Sequence, residues 1–154
     1  MKLSTRHGRV ELRLDATEAR VLTALLDELA TVVAAEDAED PVVARLFPAA
    51  YPDDADAQDD YRSITEDGLR TERQERISAC GAELVGAPRL DLTDPDRARR
   101  WIQTLNDLRL ALGTRLGVAE DYDEPDPGDA EHAAWNVYDW LTMVQDTVVT
   151  ALMG

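Results

Sequence analysis

The chain has 154 residues, 44% of them hydrophobic, with 32 acidic against 16 basic side chains and a formal net charge of −16. That length suits one domain, the apolar content is too high for a disordered chain, and so acidic a surface repels phosphate backbones and anionic membranes. A single cysteine, Cys80, excludes an intrachain disulfide and a cysteine-built zinc site, and no stretch approaches the ~20 apolar residues of a membrane span.

The first fourteen residues alternate apolar and polar side chains and lack the apolar run of a signal peptide, so a cytoplasmic, bacterial protein is expected. Lys2 to Thr5 should pair with Arg9 to Leu14 as a β-hairpin across His7-Gly8, glycine supplying a positive φ. Asp15-Ala16-Thr17-Glu18 matches a capping box. The helix it opens should run to about Ala35, with Val21, Leu22, Leu25, Leu26, Leu29, Val32 and Val33 as one apolar stripe. Asp40-Pro41 starts a short helix, because proline fits a first turn. A further helix follows Asp53-Asp54 and carries Tyr61 and Ile64, and a separate one spans about Thr65 to Leu84. Gly86, Pro88, Leu90 and Leu92 read as a connection. Thr93-Asp94-Pro95 begins a helix that stops at Gly117, with Trp101, Ile102, Leu105, Leu108, Leu112 and Leu116 on one face. Leu110 lies opposite, so this helix should be covered on two sides. Residues 117–129 read as an acidic loop and 130–152 as the last helix. The expectation is a mainly α, single-domain bundle of about five helices with a short N-terminal hairpin.

Charge is uneven along the chain. Residues 35–67 carry eleven acidic and two basic side chains, and residues 117–154 carry nine acidic and no Lys or Arg. Fifteen of the 16 basic residues are arginine. With frequent alanine, aspartate and valine, that usage resembles a GC-rich coding sequence, as in actinobacteria. It weakens any reading of "arginine-rich" as functional.

No GxGxxG, P-loop, GxSxG or HExxH motif is present. Asp121-Tyr122-Asp123-Glu124-Pro125-Asp126 begins like a calcium loop, but Asp126 stands where glycine is needed and no glutamate closes it. Asp129 and His132 sit three apart, which alone is too little for a metal. Cys80 falls on an apolar helix face, as a buried structural thiol would. Neither a cofactor nor a metal is expected.

Two arginines stand out. Arg73 lies within the stripe Leu69, Ile77, Cys80 and Leu84, and Arg109 lies between Ile102 and Leu116. An inward arginine needs a partner. The structural reading is an ion pair with a carboxylate from another helix. The functional reading is an anion or carboxylate site, with Asn106 and Tyr51 as further candidates. On the last helix Trp135 falls away from the Val137, Leu141, Val144, Val148 and Leu152 face. With Asp139 and the flanking Trp140, it marks a candidate partner surface.

Leu105-Asn106-Asp107-Leu108-Arg109-Leu110, continuing through Gly113-Thr114-Arg115-Leu116-Gly117-Val118, resembles an uncharacterised actinobacterial family catalogued as a domain of unknown function. Ala50-Tyr51-Pro52-Asp53-Asp54, Thr65-Glu66-Asp67 with Leu69-Arg70, and Val137-Tyr138-Asp139-Trp140-Leu141 fit it too. Gly68 departs from the acidic residue expected there and unsettles the local helix start. The resemblance singles out Asn106, Asp107, Arg109, Arg115, Tyr51, Tyr138 and Trp140. It also implies a genomic neighbourhood with the protease adaptor ClpS, while some members carry a regulator label. The resulting expectation is a non-enzymatic regulatory or protein-interaction domain, connected through ClpS with regulated proteolysis. Its partner is a protein, with homodimerisation as an alternative. A small anion-binding protein is the second reading. A DNA-binding regulator comes third, disfavoured by the charge.

Overall fold

The computed structural model describes residues 1–118 and 130–154. Strands β1 (Lys2–Arg6) and β2 (Arg9–Arg13) are followed by α1 (Ala16–Ala35), α2 (Pro41–Leu46) and α3 (Ala55–Tyr61). A π-helical turn (Arg62–Glu66) leads into α4 (Asp67–Gly86). Strand β3 (Arg89–Asp91), α5 (Pro95–Leu116) and α6 (Ala130–Met153) complete the order. The mainly helical bundle with an N-terminal hairpin is therefore present.

Local chemistry explains most boundaries. His7 and Gly8 both hold positive φ, 51° and 79°, as a two-residue hairpin turn requires. The capping box forms as read: Asp15 accepts the Glu18 N–H at 2.8 Å and Glu18 accepts the Asp15 N–H at 3.1 Å. Asp40 caps α2 ahead of Pro41, and Asp94 caps α5 ahead of Pro95. Gly117, at φ 69°, ends α5 in the left-handed region that glycine enters without steric cost.

Two expectations need correction. Gly86 to Leu92 is more than a connection, because β3 pairs antiparallel with β2 through Leu12↔Leu90 and makes a three-stranded sheet, β1-β2-β3. Three residues are too few to show a strand period, and the partner lies far away in sequence. The two helices expected around residues 54–84 are also one continuous rod. Ala55 to Gly86 stays helical through the π turn, so Gly68 lies inside it and starts nothing.

The apolar sheet face and five helices share one core, to which α2 gives Val42, Val43 and Leu46. Leu12 and Leu90 meet Leu22, Leu26 and Val33 of α1, Ile77 and Cys80 of α4, Trp101 and Leu105 of α5, and Leu141, Val144 and Val148 of α6. Helix α5 touches α1, α2, α4, α6 and β3, the central position that its two apolar sides suggest. Leu110, Leu112 and Leu116 are only half-buried.

Candidate functional site

The inward arginines organise the junction of α1, α2, α4 and α5. Arg70, Arg73, Ile77, Cys80 and Leu84 follow helical spacing along one side of α4. Arg70 is buried, whereas Leu69, assigned to that stripe from sequence, is 45% exposed. Arg70 donates to the Val33 carbonyl at 2.7 Å and to Glu66 at 3.3 Å. Arg73 donates to the Leu46 carbonyl at 2.8 Å and to Asp107 Oδ2 at 2.9 Å. Both guanidiniums lie over the Phe47 ring, 4.3 and 4.8 Å from its centroid. These contacts satisfy carbonyls near the C-terminal ends of α1 and α2, where the helix dipole also favours a cation.

Asp107 is the hub of this junction. It is buried and accepts from Arg73 and from Arg76, both at 2.9 Å on the same oxygen. Arg73 is therefore tied to a carboxylate from another helix. Beside the hub, the Cys80 thiol donates to Thr104 at 3.5 Å. Burial pushes its pKa up to about 11, despite that hydrogen bond. The neighbouring Glu83 accepts from Arg100 at 2.8 Å and from the buried Trp101 indole at 2.7 Å.

Arg109 departs from the ion-pair account. Its partners are neutral: Thr142 Oγ1 at 3.1 Å and Gln145 Oε1 at 2.5 Å, both on α6. Its guanidinium lies 5.7 Å from the Tyr138 ring centroid. The expected carboxylate is not among its partners within the described residues. Nor does Arg109 share a partner with Arg73, while Asn106 and Tyr51 are exposed and Tyr51 meets Tyr61 edge-on. The four candidate ligand residues thus do not converge.

On α6, Trp135 is half-buried and stacks on Tyr138, with ring centroids 5.7 Å apart. Arg109, Tyr138 and Trp135 form a short ladder. Gly113 of α5 makes room for it, since a Cβ there would meet Tyr138 at 3.2 Å. Trp140 packs at the core edge and donates its indole N–H to Glu18 at 2.9 Å. Burial would raise the Glu18 pKa. Hydrogen bonds from the residue 1 ammonium, the Asp15 backbone and Trp140 outweigh it and hold the carboxyl at about 2. Asn136, Asp139, Met143, Asp146, Thr150 and Met153 form the exposed line of α6, with Met143 and Met153 at 54% and 84% exposure. The acidic loop 119–129, including the calcium-like stretch and Asp129, lies outside the described residues. Among those described, no group of acidic, histidine or cysteine side chains could hold a metal, and no helix is long and apolar enough to cross a membrane.

Sequence reasoning did not single out Arg76, Glu66 or Arg70 as site residues. Arg70 had a readable signal, since it stands seven residues before Ile77 and so on the same helix line. Asp107 was singled out by its motif but not as the partner of Arg73.

Comparison with known proteins adds a family and a set of relatives. The model of a family described as a domain of unknown function, DUF2017, matches residues 1–152, and the chain belongs to that family. It is 38% identical over 133 residues to the oxidative stress regulator AosR of Mycobacterium tuberculosis (strain ATCC 25618 / H37Rv), and the same figures hold for that of Mycobacterium bovis. Those alignments cover 75% of this chain and 59% of each relative. A putative oxidative stress regulator AosR of Mycobacterium leprae is 36% identical over 149 residues, covering 84% of this chain and 68% of the relative. The chain thus spans 59% of the length of the first relatives it matches. No solved structure matches it.

Proposed function

We propose that this chain is a non-enzymatic, cytoplasmic regulatory domain that acts by binding a protein, in the response to oxidative stress. The similarity to named oxidative stress regulators over 75% of the chain carries the reading. The geometry agrees with it. Arg70, Arg73 and Arg76 are engaged in holding helices together, while α6 offers a continuous outward line of Asp139, Met143 and Met153 beside Trp135 and Tyr138. Methionine and aromatic side chains suit an adaptable protein contact. A role near regulated proteolysis is a narrower form of the proposal, resting on the ClpS neighbourhood that the family resemblance implies. The test is affinity purification of tagged chain from the native cell, with wild type beside Asp139→Arg and Met143→Asp. A stoichiometric protein retained by wild type and lost from both variants is expected. Equal recovery with all three would remove α6 as the contact.

One observation favours a second reading, anion binding at Arg109: among the described residues its guanidinium is bonded only to neutral groups. Phosphate should then raise the melting temperature of wild type but not of Arg109→Met. No shift in either protein would end this alternative.

A further inference from the structure

The outer face of the sheet opposes the charge of the rest of the molecule. Register places Leu3, Val10, Leu12 and Leu90 on the core side. The same register aligns Lys2, Arg13 and Arg89 in one outward row, Ser4, Glu11 and Asp91 in the next, and Arg6 opposite Arg9 beside the turn. Five cations thus share a small face with two acids, on a chain whose net charge is −16. Glu11 is already held by Arg13 and Arg89, at 3.6 and 3.5 Å, and Asp91 by Arg97 at 3.1 Å. Arg6 and Arg9 have no acidic partner among the described residues, and like charges directly opposite each other weaken a hairpin. Together with Arg13 and Arg89 they wall a shallow concavity of about 330 Å³ over Ser4 and Glu11.

We propose that this concave sheet face docks a short acidic segment of a partner protein, whose carboxylates meet Arg6 and Arg9. Guanidinium forks suit carboxylates, and the uncompensated pair gains most from them. Size and charge decide between polyanions. The sheet is three strands wide and at most five residues long, so a short segment stays within this face, where cations outnumber acids five to two. An extended duplex or an anionic membrane would also feel the field of a chain whose net charge is −16, and both are repelled. The inference rests on the protein-interaction reading but uses a different surface from α6, so either can fail alone.

The test is fluorescence anisotropy of a labelled oligo-glutamate peptide titrated with the full chain at low and at physiological salt. Saturable binding that weakens with salt is expected. Arg9→Glu places an acid opposite Arg6, so the hairpin should hold or gain stability while the peptide affinity falls about tenfold or more. Arg99→Glu, at an exposed arginine on α5 that pairs with Asp96, should bind as wild type. The proposal is overturned if the peptide does not bind at low salt, or if Arg9→Glu, melting no lower than wild type, binds it equally. Tighter binding of a DNA duplex or of phosphatidylserine vesicles than of the peptide would overturn it as well.

Discussion

Replacing Asp107 with asparagine removes one charge and little volume from the centre of the α4–α5 contact. The two cations that share its Oδ2 are about four-fifths buried, with 20% exposure for the Arg73 side chain and 17% for Arg76. Breaking such a pair costs about 3–5 kcal/mol when burial is complete. The remaining exposure, the surviving amide acceptor and the Leu46 carbonyl on Arg73 bring the expected loss to the lower end, about 3 kcal/mol. For a chain of this length each kcal/mol moves the midpoint by about 2–4 °C, so Asp107→Asn should melt about 6–12 °C below wild type. Thermal and urea unfolding followed by circular dichroism would measure it, with an unchanged urea slope showing that the unfolded state is unaffected. Adding Arg76→Met removes one stranded cation and should recover part of the loss, giving a coupling of about 1 kcal/mol or more. A shift below about 2 °C, or strictly additive effects, would show that the charges are solvated and that the hub carries little energy.

Helical glycines offer a paired check. Gly81→Ala, in open space, should raise stability by about 0.5–1 kcal/mol, whereas Gly113→Ala should lose that gain against Tyr138 and melt below wild type. Cys80 should resist alkylation in the folded chain, because with a pKa near 11 roughly one thiol in a thousand is thiolate at pH 8, and it should react fully in denaturant; rapid native labelling would contradict its burial. Glu18, depressed to about 2, contributes stability that is complete above about pH 4.5 and lost as pH falls towards 2. Trp140→Phe removes one of its hydrogen bonds and should move that acid loss to higher pH in a melt series; an unchanged profile would mean that the indole bond contributes nothing.

Much of the fold was legible where short-range chemistry decides it. Asp15-Glu18, Asp40-Pro41, Asp94-Pro95 and Gly117 mark their boundaries through bonds within a few residues, and the α1 and α5 stripes follow from period alone. Strand β3 was not legible, because its existence depends on a distant partner and not on its own three residues. The π turn was hidden for a related reason: an extra residue in a helical turn leaves no compositional mark at Arg62–Glu66. Among the site residues, spacing sufficed to turn Arg73 inward but not to identify Asp107 as its partner. Arg109 was placed near the core, yet its amide and hydroxyl partners on α6 depend on how two helices are rotated against each other.

The cysteine chemistry also bears on kinship with oxidative stress regulators. This chain has one thiol, buried and held protonated, so it cannot close an intrachain disulfide and is a poor nucleophile towards peroxide. If the chain takes part in such a response, Cys80 is badly placed to register the oxidant in the folded state.

The pairing of β2 with β3 has a consequence during synthesis. More than seventy residues separate Arg13 from Arg89, its partner in the sheet. At ordinary elongation rates the third strand follows the hairpin by roughly 4–15 s. A lone hairpin is marginal in water, and until α1, α4 and β3 arrive, Leu12 and Leu14 have no core to enter. The nascent hairpin therefore stays unfolded while most of the helical rod is made, a window open to chaperones. Fragments ending before Arg89 should accordingly be insoluble, however well their helices are capped.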